Sequence, residues 1–180
     1  MRVLVLTGPE SSGKSWLAGE LQASFGGVLV GEYVRHFIER EGRATCYADI
    51  PAIARGQLAW EDAARAERPP LLILDTHLLS NLLWSRALFG ACPAWIEREL
   101  LARRYDLHLL LDPAGVPWVD DGQRCQPQLA QRAHFHRACR EWLERQLQPF
   151  QPIDGDWPQR RQQALDAVDA WLSTPSPGSA

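Results

Sequence analysis

The stretch MRVLVLTGPESSGKSWLAGEL at the start of the chain constrains the fold more than any other part of it. Val3–Thr7 is an apolar, β-branched run that predicts a strand, and leucines at helical spacing follow the segment GPESSGKS. A pattern G-x-x-x-x-G-K-S between a strand and a helix predicts a phosphate-binding loop, or P-loop. Gly8 and Gly13 allow a turn that directs backbone N–H groups at phosphate oxygens, and the following helix adds the positive end of its dipole. We therefore expect the chain to bind a nucleotide through its phosphates.

Side chains in and after this loop predict how a nucleoside triphosphate is held. Lys14 supplies a cation for the β- and γ-phosphates, and the Ser15 hydroxyl is a potential Mg²⁺ ligand. ATP and Mg²⁺ are the expected cofactors. The residues expected to contact ATP here are Gly8, Pro9, Glu10, Ser11, Ser12, Gly13, Lys14, Ser15 and Trp16.

Composition restricts the class of protein. The chain has 180 residues, of which 46% are hydrophobic and 23% charged, as in a soluble globular domain. Its net charge of −3 gives no basic surface for nucleic acid. No apolar run approaches the roughly 18–20 residues that span a bilayer, and no signal peptide precedes the P-loop. We expect a cytoplasmic protein that binds small molecules rather than nucleic acid or membranes, as a monomer or a small homo-oligomer.

Four cysteines, at positions 46, 92, 125 and 139, are widely separated and form no C-x-x-C pair. Such spacing does not suggest a zinc site. In a reducing compartment these cysteines are expected to be free thiols.

Apolar runs alternate with amphipathic segments along the rest of the chain. This alternation predicts a parallel sheet covered on both faces, which is a three-layer α/β/α fold with five parallel strands and a lid loop after the fourth. We expect one domain over residues 1–172 and a disordered tail over residues 173–180, which are rich in Ser, Pro and Gly. The runs that predict the four further strands are Val28–Val30, Leu71–Leu74, Asp106–Leu111 and Phe150–Ile153.

Polar residues follow the ends of these strands, where ligands bind in such sheets. Asp75 ends an apolar run in the manner of a Walker B strand, which predicts contact with Mg²⁺ or acceptance of a proton from a substrate hydroxyl. A helix cap is the alternative for Asp75. Glu32 is either the general base or a solvent-facing turn acid. Arg35 either holds a substrate or pairs with a nearby glutamate.

The loop VPWVDDGQR after the fourth strand is the most unusual stretch after the P-loop. Trp118 either packs in the core or stacks on something flat, for which an aromatic or cationic ring is suited, and Asp121 suits sugar hydroxyls. Arg124 and Arg132 suit a lid that neutralises the transferring phosphoryl group, although Arg132 also fits the solvated face of a basic helix. Other tryptophans at helical spacing are expected in the core: Trp60, Trp84, Trp95, Trp142 and Trp171.

Seven motifs occur in order along the chain: GPESSGKS (Gly8–Ser15), GEYVR (Gly31–Arg35), YAD (Tyr47–Asp49), IARGQ (Ile53–Gln57), LLILDT (Leu71–Thr76), YDLHLLL (Tyr105–Leu111) and VPWVDDGQR (Val116–Arg124). Taken together, these motifs resemble the ribosylnicotinamide (nicotinamide riboside) kinase domain of the NadR type, within the P-loop kinases. The resemblance extends over residues 2–172. It implies transfer of the ATP γ-phosphate to the 5′-hydroxyl of nicotinamide riboside.

The resemblance also implies site residues. Lys14, Glu32, Asp75, Arg124 and Arg132 would be catalytic, with Ser15 and Asp75 at the metal. The turn before the last helix would border the adenine through Arg160. The implied substrate-binding residues are Tyr33, Arg35, Asp49, Gln57, Trp118 and Asp121.

Two positions depart from the pattern of the resemblance. Trp16 follows Gly13-Lys14-Ser15, where many P-loop kinases have a hydroxyl that can contact the α-phosphate. Gly115 precedes the Val-Pro-Trp motif, where an acid is expected, and Asp112 or Asp120 would have to replace it.

Other functions remain open at the level of sequence. One is a kinase for another nucleoside or small hydroxyl metabolite, and another is a P-loop module that binds nucleotides or phosphoinositides without transferring phosphate. Glu32, Asp75 and Asp121 together with two lid arginines favour a kinase over a binding module. Because neither an adenylyltransferase domain nor a helix-turn-helix precedes Met1, we expect the kinase activity alone.

Overall fold

The strand that leads into the P-loop lies at the centre of the sheet. The computed structural model describes residues 1–174, and its strands run in the order β2-β3-β1-β4-β5, all parallel. Every residue of the first strand after Arg2, and all of the third, is buried, because helices cover both faces of the sheet. The strands are β1 (Arg2–Thr7), β2 (Val28–Val30), β3 (Leu71–Asp75), β4 (Leu107–Leu111) and β5 (Phe150–Ile153).

Helices form a layer on each side of the sheet, which confirms the predicted three-layer α/β/α fold. The first and last helices pack on one face, where Leu17 and Leu21 meet Val168. The third to sixth pack on the other face through residues such as Leu58, Leu79 and Trp142. The helices are α1 (Lys14–Phe25), α2 (Tyr33–Glu41), α3 (Ile50–Ala66), α4 (Leu78–Phe89), α5 (Ala94–Leu101), α6 (Leu129–Arg145) and α7 (Trp157–Ser173).

Chain order reverses on either side of β1, which is flanked by β3 and β4. Ligands of open α/β sheets bind in the crevice outside the strand ends at such a point. The P-loop, the start of α2 and the segment after β3 all lie at this edge, together with the long β4–α6 connection. The order of the strands thus brings four separate stretches of sequence to one place.

Two expectations concern the periphery of the fold. The last helix, α7, ends at Ser173, and residues 175–180 of the expected tail lie outside the described part of the chain. Trp60 was expected in the core, but it is 38% exposed. Trp60 packs edge-on against Tyr33 of α2, with ring centroids 4.9 Å apart. Because α2 covers only part of the α3 face that carries Trp60, the indole stays partly exposed.

All four cysteines are free thiols in the structure, as expected from their spacing. Cys139 is fully buried, and burial raises the pKa of its thiol to about 12. Within residues 1–174, no helix combines the length and the apolar character needed to cross a membrane.

Candidate nucleotide and acceptor site

Close contacts of its two framing glycines hold the P-loop in place. Gly8 has φ +142°, and a Cβ there would lie 2.6 Å from the carbonyl oxygen of Leu111 at the end of β4. Gly13 has φ +88°, and a Cβ there would lie 2.7 Å from the six-membered ring of Trp157. A side chain at either position would push the loop off its neighbours, so glycine is required at both.

Lys14 lies folded over the loop to which it belongs. Its Nζ donates hydrogen bonds to the carbonyl oxygens of Gly8, at 3.1 Å, and Pro9, at 2.7 Å, and the residue is only 9% exposed. The ammonium group is thereby kept beside the phosphate-binding turn. Phosphate oxygens can replace the two carbonyls as its partners when a nucleotide binds.

Asp75 and Ser15 provide oxygen atoms suited to Mg²⁺. Asp75 is 5% exposed, and its Oδ1 is buried without a hydrogen-bond partner among residues 1–174. Ser15 is exposed at the second position of α1. Mg²⁺ prefers oxygen ligands, usually one or two protein groups together with substrate phosphates, so these two residues fit the ion. The described residues contain no cluster of three or more His, Cys, Asp or Glu side chains that could hold a metal ion.

Glu32 forms the second acid of the site, at the N-terminus of α2. Its carboxylate pairs with Arg35, whose Nε lies 3.2 Å from Oε2. Burial raises the pKa of Glu32, the charge of Lys14 opposes the rise, and the nearby Asp75 carboxylate adds to it. The predicted turn acid facing solvent is therefore not what the structure shows, since the side chain is 17% exposed and interacts with both Lys14 and Asp75.

A cavity of about 900 Å³, including its open mouth, lies beside the P-loop and contains Glu10, Glu32 and Arg35 in its wall. We call it the acceptor pocket. Its apolar side is formed by α2, α3 and α4, and its polar side includes Gln123 and Arg124 from the β4–α6 connection. The apolar lining residues are Val34, Ile38, Ile50, Ile53, Trp84 and Leu88.

Residues 116–126 of the β4–α6 connection form what we call the lid segment. At one point it meets the P-loop, where Glu10 accepts hydrogen bonds from it. At another it meets α2, where Asp121 Oδ2 lies 2.8 Å from Arg35 Nη1. Arg124 also pairs with Asp121, at 3.1 Å. The segment therefore closes one side of the acceptor pocket, as expected for a lid loop.

Trp118 does not line the acceptor pocket. Its indole N–H donates to Glu10 Oε1 at 2.8 Å, and the residue is only partly buried, so it does not pack in the core; ring stacking on a substrate stays a prediction. The aromatic side chain in the pocket wall is Trp84, which packs against Phe135 with ring centroids 4.7 Å apart. Sequence reasoning assigned Trp84 to the core, and its helical spacing carries no signal that distinguishes a pocket wall from a core.

The other expected substrate-binding residues are divided between the pocket wall and its supports. Arg35 and Gln57 line the pocket, whereas Tyr33, Asp49 and Asp121 do not. Gln57 also fixes the start of α2, because its Oε1 accepts from the Tyr33 N–H at 2.9 Å and its Nε2 donates to the Gly31 carbonyl.

Asp49 directly precedes α3, but its carboxylate does not cap that helix. Asp49 Oδ2 accepts from the Cys46 N–H at 2.8 Å and lies 2.7 Å from Arg43 Nη1. Asp49 therefore closes the short 3₁₀ turn at Tyr47–Asp49, and its carboxylate is occupied outside the pocket. A local ion pair with Arg43 is the physical reason, and the pattern of the motif does not reveal it.

Arg132 lies on a buried face of α6, where it is 4% exposed. Its Nε and Nη1 have no hydrogen-bond partner within residues 1–174. The alternative of a solvated helix face is therefore excluded. A buried guanidinium with free donors is suited to an anionic ligand.

The structure corrects the expected direct contact of Arg160 with ATP. Arg160 is fully buried, and its guanidinium donates to backbone carbonyls at Gly155, at 2.7 Å, and Asp112, at 2.7 Å. It also reaches the carbonyls of Ser12 and Ala114. Through these hydrogen bonds the Arg160 guanidinium holds the turn before α7 against the P-loop and the segment after β4.

Because Arg160 holds that turn against the P-loop, Trp157 lies against Gly13 and beside Trp16. The two indoles meet edge to face, with ring centroids 4.8 Å apart, and are 39% and 37% exposed. The unusual Trp16 therefore has a partner next to the P-loop. Sequence reasoning did not select Trp157, since nothing local connects it to the distant loop.

These features define a P-loop nucleotide-binding protein in which an acceptor pocket adjoins the phosphate loop. The family model described as "AAA domain" matches residues 3–160, and the chain belongs to this family. It is 28% identical over 148 residues to the trifunctional NAD biosynthesis/regulator protein NadR of Escherichia coli, and 27% identical to that of Salmonella typhimurium. Each match covers 80% of this chain but 36% of the relative, so the chain spans about a third of the length of these curated proteins.

Solved structures of related proteins share the fold of this chain. A NadR protein in complex with NR superposes with a TM-score of 0.80 at 22% identity, over 97% of this chain and 52% of that one. Deoxyadenosine kinase from M. mycoides with bound dATP superposes with a TM-score of 0.64 at 12% identity, over 94% of this chain and 100% of that one. The resemblance to the NadR type, stated from the motifs, is thereby confirmed, and the fold is that of P-loop kinases.

Proposed function

We propose that the chain transfers the γ-phosphoryl group of ATP to the 5′-hydroxyl of nicotinamide riboside, which gives nicotinamide mononucleotide and ADP. The observation that carries the proposal is that the acceptor pocket and the P-loop share Glu10, while Glu32 in the pocket wall lies near Lys14. An acceptor in this pocket lies next to the phosphates of a bound nucleotide, which is the arrangement that phosphoryl transfer needs. The choice of acceptor is supported by the similarity to NadR and to its complex with NR, here taken as nicotinamide riboside.

The P-loop would hold the β- and γ-phosphates through its backbone N–H groups, with Lys14 exchanging its two carbonyl partners for phosphate oxygens. Ser15 and Asp75 are the residues that would hold Mg²⁺. When bound, the ion would supply positive charge that offsets the negative charge of the phosphates. The exposed indoles of Trp16 and Trp157 suit stacking with the base of the nucleotide.

Glu32 is our candidate for the general base, because it lines the pocket and Asp75 does not. The 5′-oxygen forms a bond to the γ-phosphorus while its proton passes to the Glu32 carboxylate. The bond from that phosphorus to the ADP oxygen breaks, and the electron pair stays on ADP. A raised pKa brings the glutamate closer to the neutral pH at which a base is most effective. Arg132, with its free donors, and Arg124 would neutralise charge on the transferring group.

The experiment that tests the proposal is ADP release from Mg-ATP with a panel of acceptors: nicotinamide riboside, common ribonucleosides, deoxyadenosine and a buffer blank. We expect release with nicotinamide riboside well above the other acceptors, and a product that has gained one phosphate by mass spectrometry. Release with another nucleoside alone would replace the acceptor. Binding of ATP without release for any acceptor would instead indicate a binding module.

A further inference from the structure

Glu10 is an acidic residue inside a loop that binds anions. A carboxylate beside a triphosphate is repelled by it, so contact with phosphate gives no reason for a glutamate here. The side chain instead points to the acceptor pocket, whose wall it helps to form. A different partner must therefore account for its position.

That partner is the lid segment, residues 116–126. Glu10 Oε1 accepts from the Trp118 indole N–H at 2.8 Å and from the Gln126 backbone N–H at 2.7 Å. Oε2 accepts from the Cys125 backbone N–H at 3.1 Å. Hydrogen bonds to a charged acceptor are the stronger kind, and three of them converge on one carboxylate.

The opposite side of the lid segment is held on α2. Asp121 pairs with Arg35, and Arg35 pairs in turn with Glu32 in the pocket wall. Asp121 Oδ1 also accepts hydrogen bonds from the backbone N–H groups of Gln123 and Arg124. The contact with Arg35 attaches the lid segment beside the acceptor pocket. The contact with Glu10 attaches it to the P-loop, where the nucleotide binds.

We propose that Glu10 is a positioning residue that fastens the lid segment to the P-loop, so that nucleotide binding and acceptor binding are coupled. A nucleotide that fixes the conformation of the P-loop also fixes the position of Glu10. Through its hydrogen bonds, Glu10 then fixes the lid segment that forms one wall of the acceptor pocket. By thermodynamic linkage, the acceptor strengthens nucleotide binding by the same factor. This inference rests on the proposed function for the identity of the acceptor, and it replaces the expectation that Glu10 contacts ATP.

The first test needs no ligand. Trypsin can cut after Arg124 when the lid segment opens locally, so the rate of this cut reports how firmly the segment is held. We expect Glu10→Ala to accelerate the cut by about tenfold or more, since three charge-assisted hydrogen bonds are lost. Glu10→Gln, which keeps one acceptor oxygen, and Trp118→Phe, which removes one donor, should fall between it and the wild type. Glu20→Ala is the matched control, because Glu20 lies on α1 and pairs with Arg161 instead.

The second test measures coupling. The Kd of nicotinamide riboside is determined with and without a non-hydrolysable ATP analogue, and the ratio should be at least about fivefold in the wild type and in Glu20→Ala. In Glu10→Ala the ratio should approach one, which loss of general stability would not produce. An unchanged cutting rate, or a coupling ratio that survives in Glu10→Ala, would overturn the proposal. If the riboside does not bind the wild type, the proposed acceptor is wrong, while the trypsin comparison still decides the role of Glu10.

Discussion

At the scale of single residues, the cation of the P-loop gives the first prediction. Within residues 1–174, Lys14 donates hydrogen bonds only to carbonyls of its own loop, so Lys14→Ala should leave the fold intact while the phosphates lose their main side-chain cation. We expect the rate of phosphate transfer to fall by at least about a hundredfold. Urea unfolding followed by far-UV circular dichroism should keep its midpoint within about 0.5 M, a tolerance of roughly 1 kcal/mol. A variant that is unfolded would show that Lys14 holds the structure rather than the ligand.

Arg35 gives a prediction about pH. Burial raises the pKa of Glu32, and Arg35 is among the groups that oppose the rise, through its charge and its hydrogen bond. Arg35→Met removes this opposition, so the pKa of Glu32 should rise further. If Glu32 is the base, the acidic limb of kcat/KM against pH should move to higher pH.

The matched control for that experiment is Asp121→Asn. It weakens the same attachment of the lid segment but leaves the Arg35 charge beside Glu32. Its acidic limb should stay where it is in the wild type, even if the KM of the acceptor increases. An identical shift in both variants would mean that the limb reports lid closure and not the ionisation of Glu32.

At the scale of elements, the contact between α2 and α3 depends on a glycine. A Cβ at Gly56 would lie 2.1 Å from two ring carbons of Tyr33. Gly56→Ala should therefore lower the free energy of unfolding by about 1–3 kcal/mol, because the ring must move away. In a Tyr33→Ala background the clash is gone, and the same change should stabilise the protein by about 0.5–1 kcal/mol through the helix preference of alanine.

Urea unfolding of the four proteins in this cycle measures the coupling between the two positions directly. A Gly56→Ala effect of the same sign in both backgrounds would contradict the packing described here. The cycle also concerns the site, because Tyr33 begins α2, and the Tyr33 N–H donates to Gln57 in the pocket wall. Displacement of the ring would therefore disturb the position of Glu32, one residue earlier.

At the scale of the whole molecule, two buried histidines join the sheet to the helices. His77 Nε2 lies 3.4 Å from His108 Nε2, and both residues are fully buried. The contact between His108 Nδ1 and the Pro149 carbonyl, at 3.1 Å, requires a proton on Nδ1. His108 Nε2 is then the acceptor and His77 Nε2 the donor, so the His108 ring is neutral.

Acid should destabilise the fold through this pair. Burial lowers the pKa of His108 from 6.5 to about 4, and burial with the neighbouring His108 and Arg65 lowers that of His77. Below about pH 6.5 the unfolded chain therefore binds protons that the folded chain does not, and the free energy of unfolding falls until the folded pKa is passed. For His108 alone the loss between pH 7 and pH 4 is about 2–3 kcal/mol.

The measurement is urea unfolding at pH 7, 5.5 and 4.5 for the wild type and for His108→Asn, whose amide can still donate to the Pro149 carbonyl. The variant should be less stable at pH 7 but should lose less stability on acidification. Equal losses for both proteins would assign the acid sensitivity to other groups.

Local sequence determined the elements that need no distant partner. The P-loop follows from Gly8, Gly13 and Lys14 within one short stretch, and the three central strands β1, β3 and β4 follow from apolar runs, because burial on both faces requires continuous hydrophobic residues. The strand-end acids Glu32 and Asp75 were found in the same way, since ligands gather at the carboxyl edge of a parallel sheet. These features depend on residues that are close together in the chain.

Only the tertiary structure decided what the long side chains touch. Arg160 was expected at the nucleotide and instead bonds four backbone carbonyls, while Trp118, for which core packing was one expectation, bonds Glu10 of the P-loop. Trp84, assigned to the core, lies in the pocket wall. A side chain several bonds long can reach different partners from the same backbone position, and which partner is near depends on how distant segments pack. Sequence therefore determined the P-loop and the sheet around it, and packing decided that Glu10 in that loop holds the lid segment.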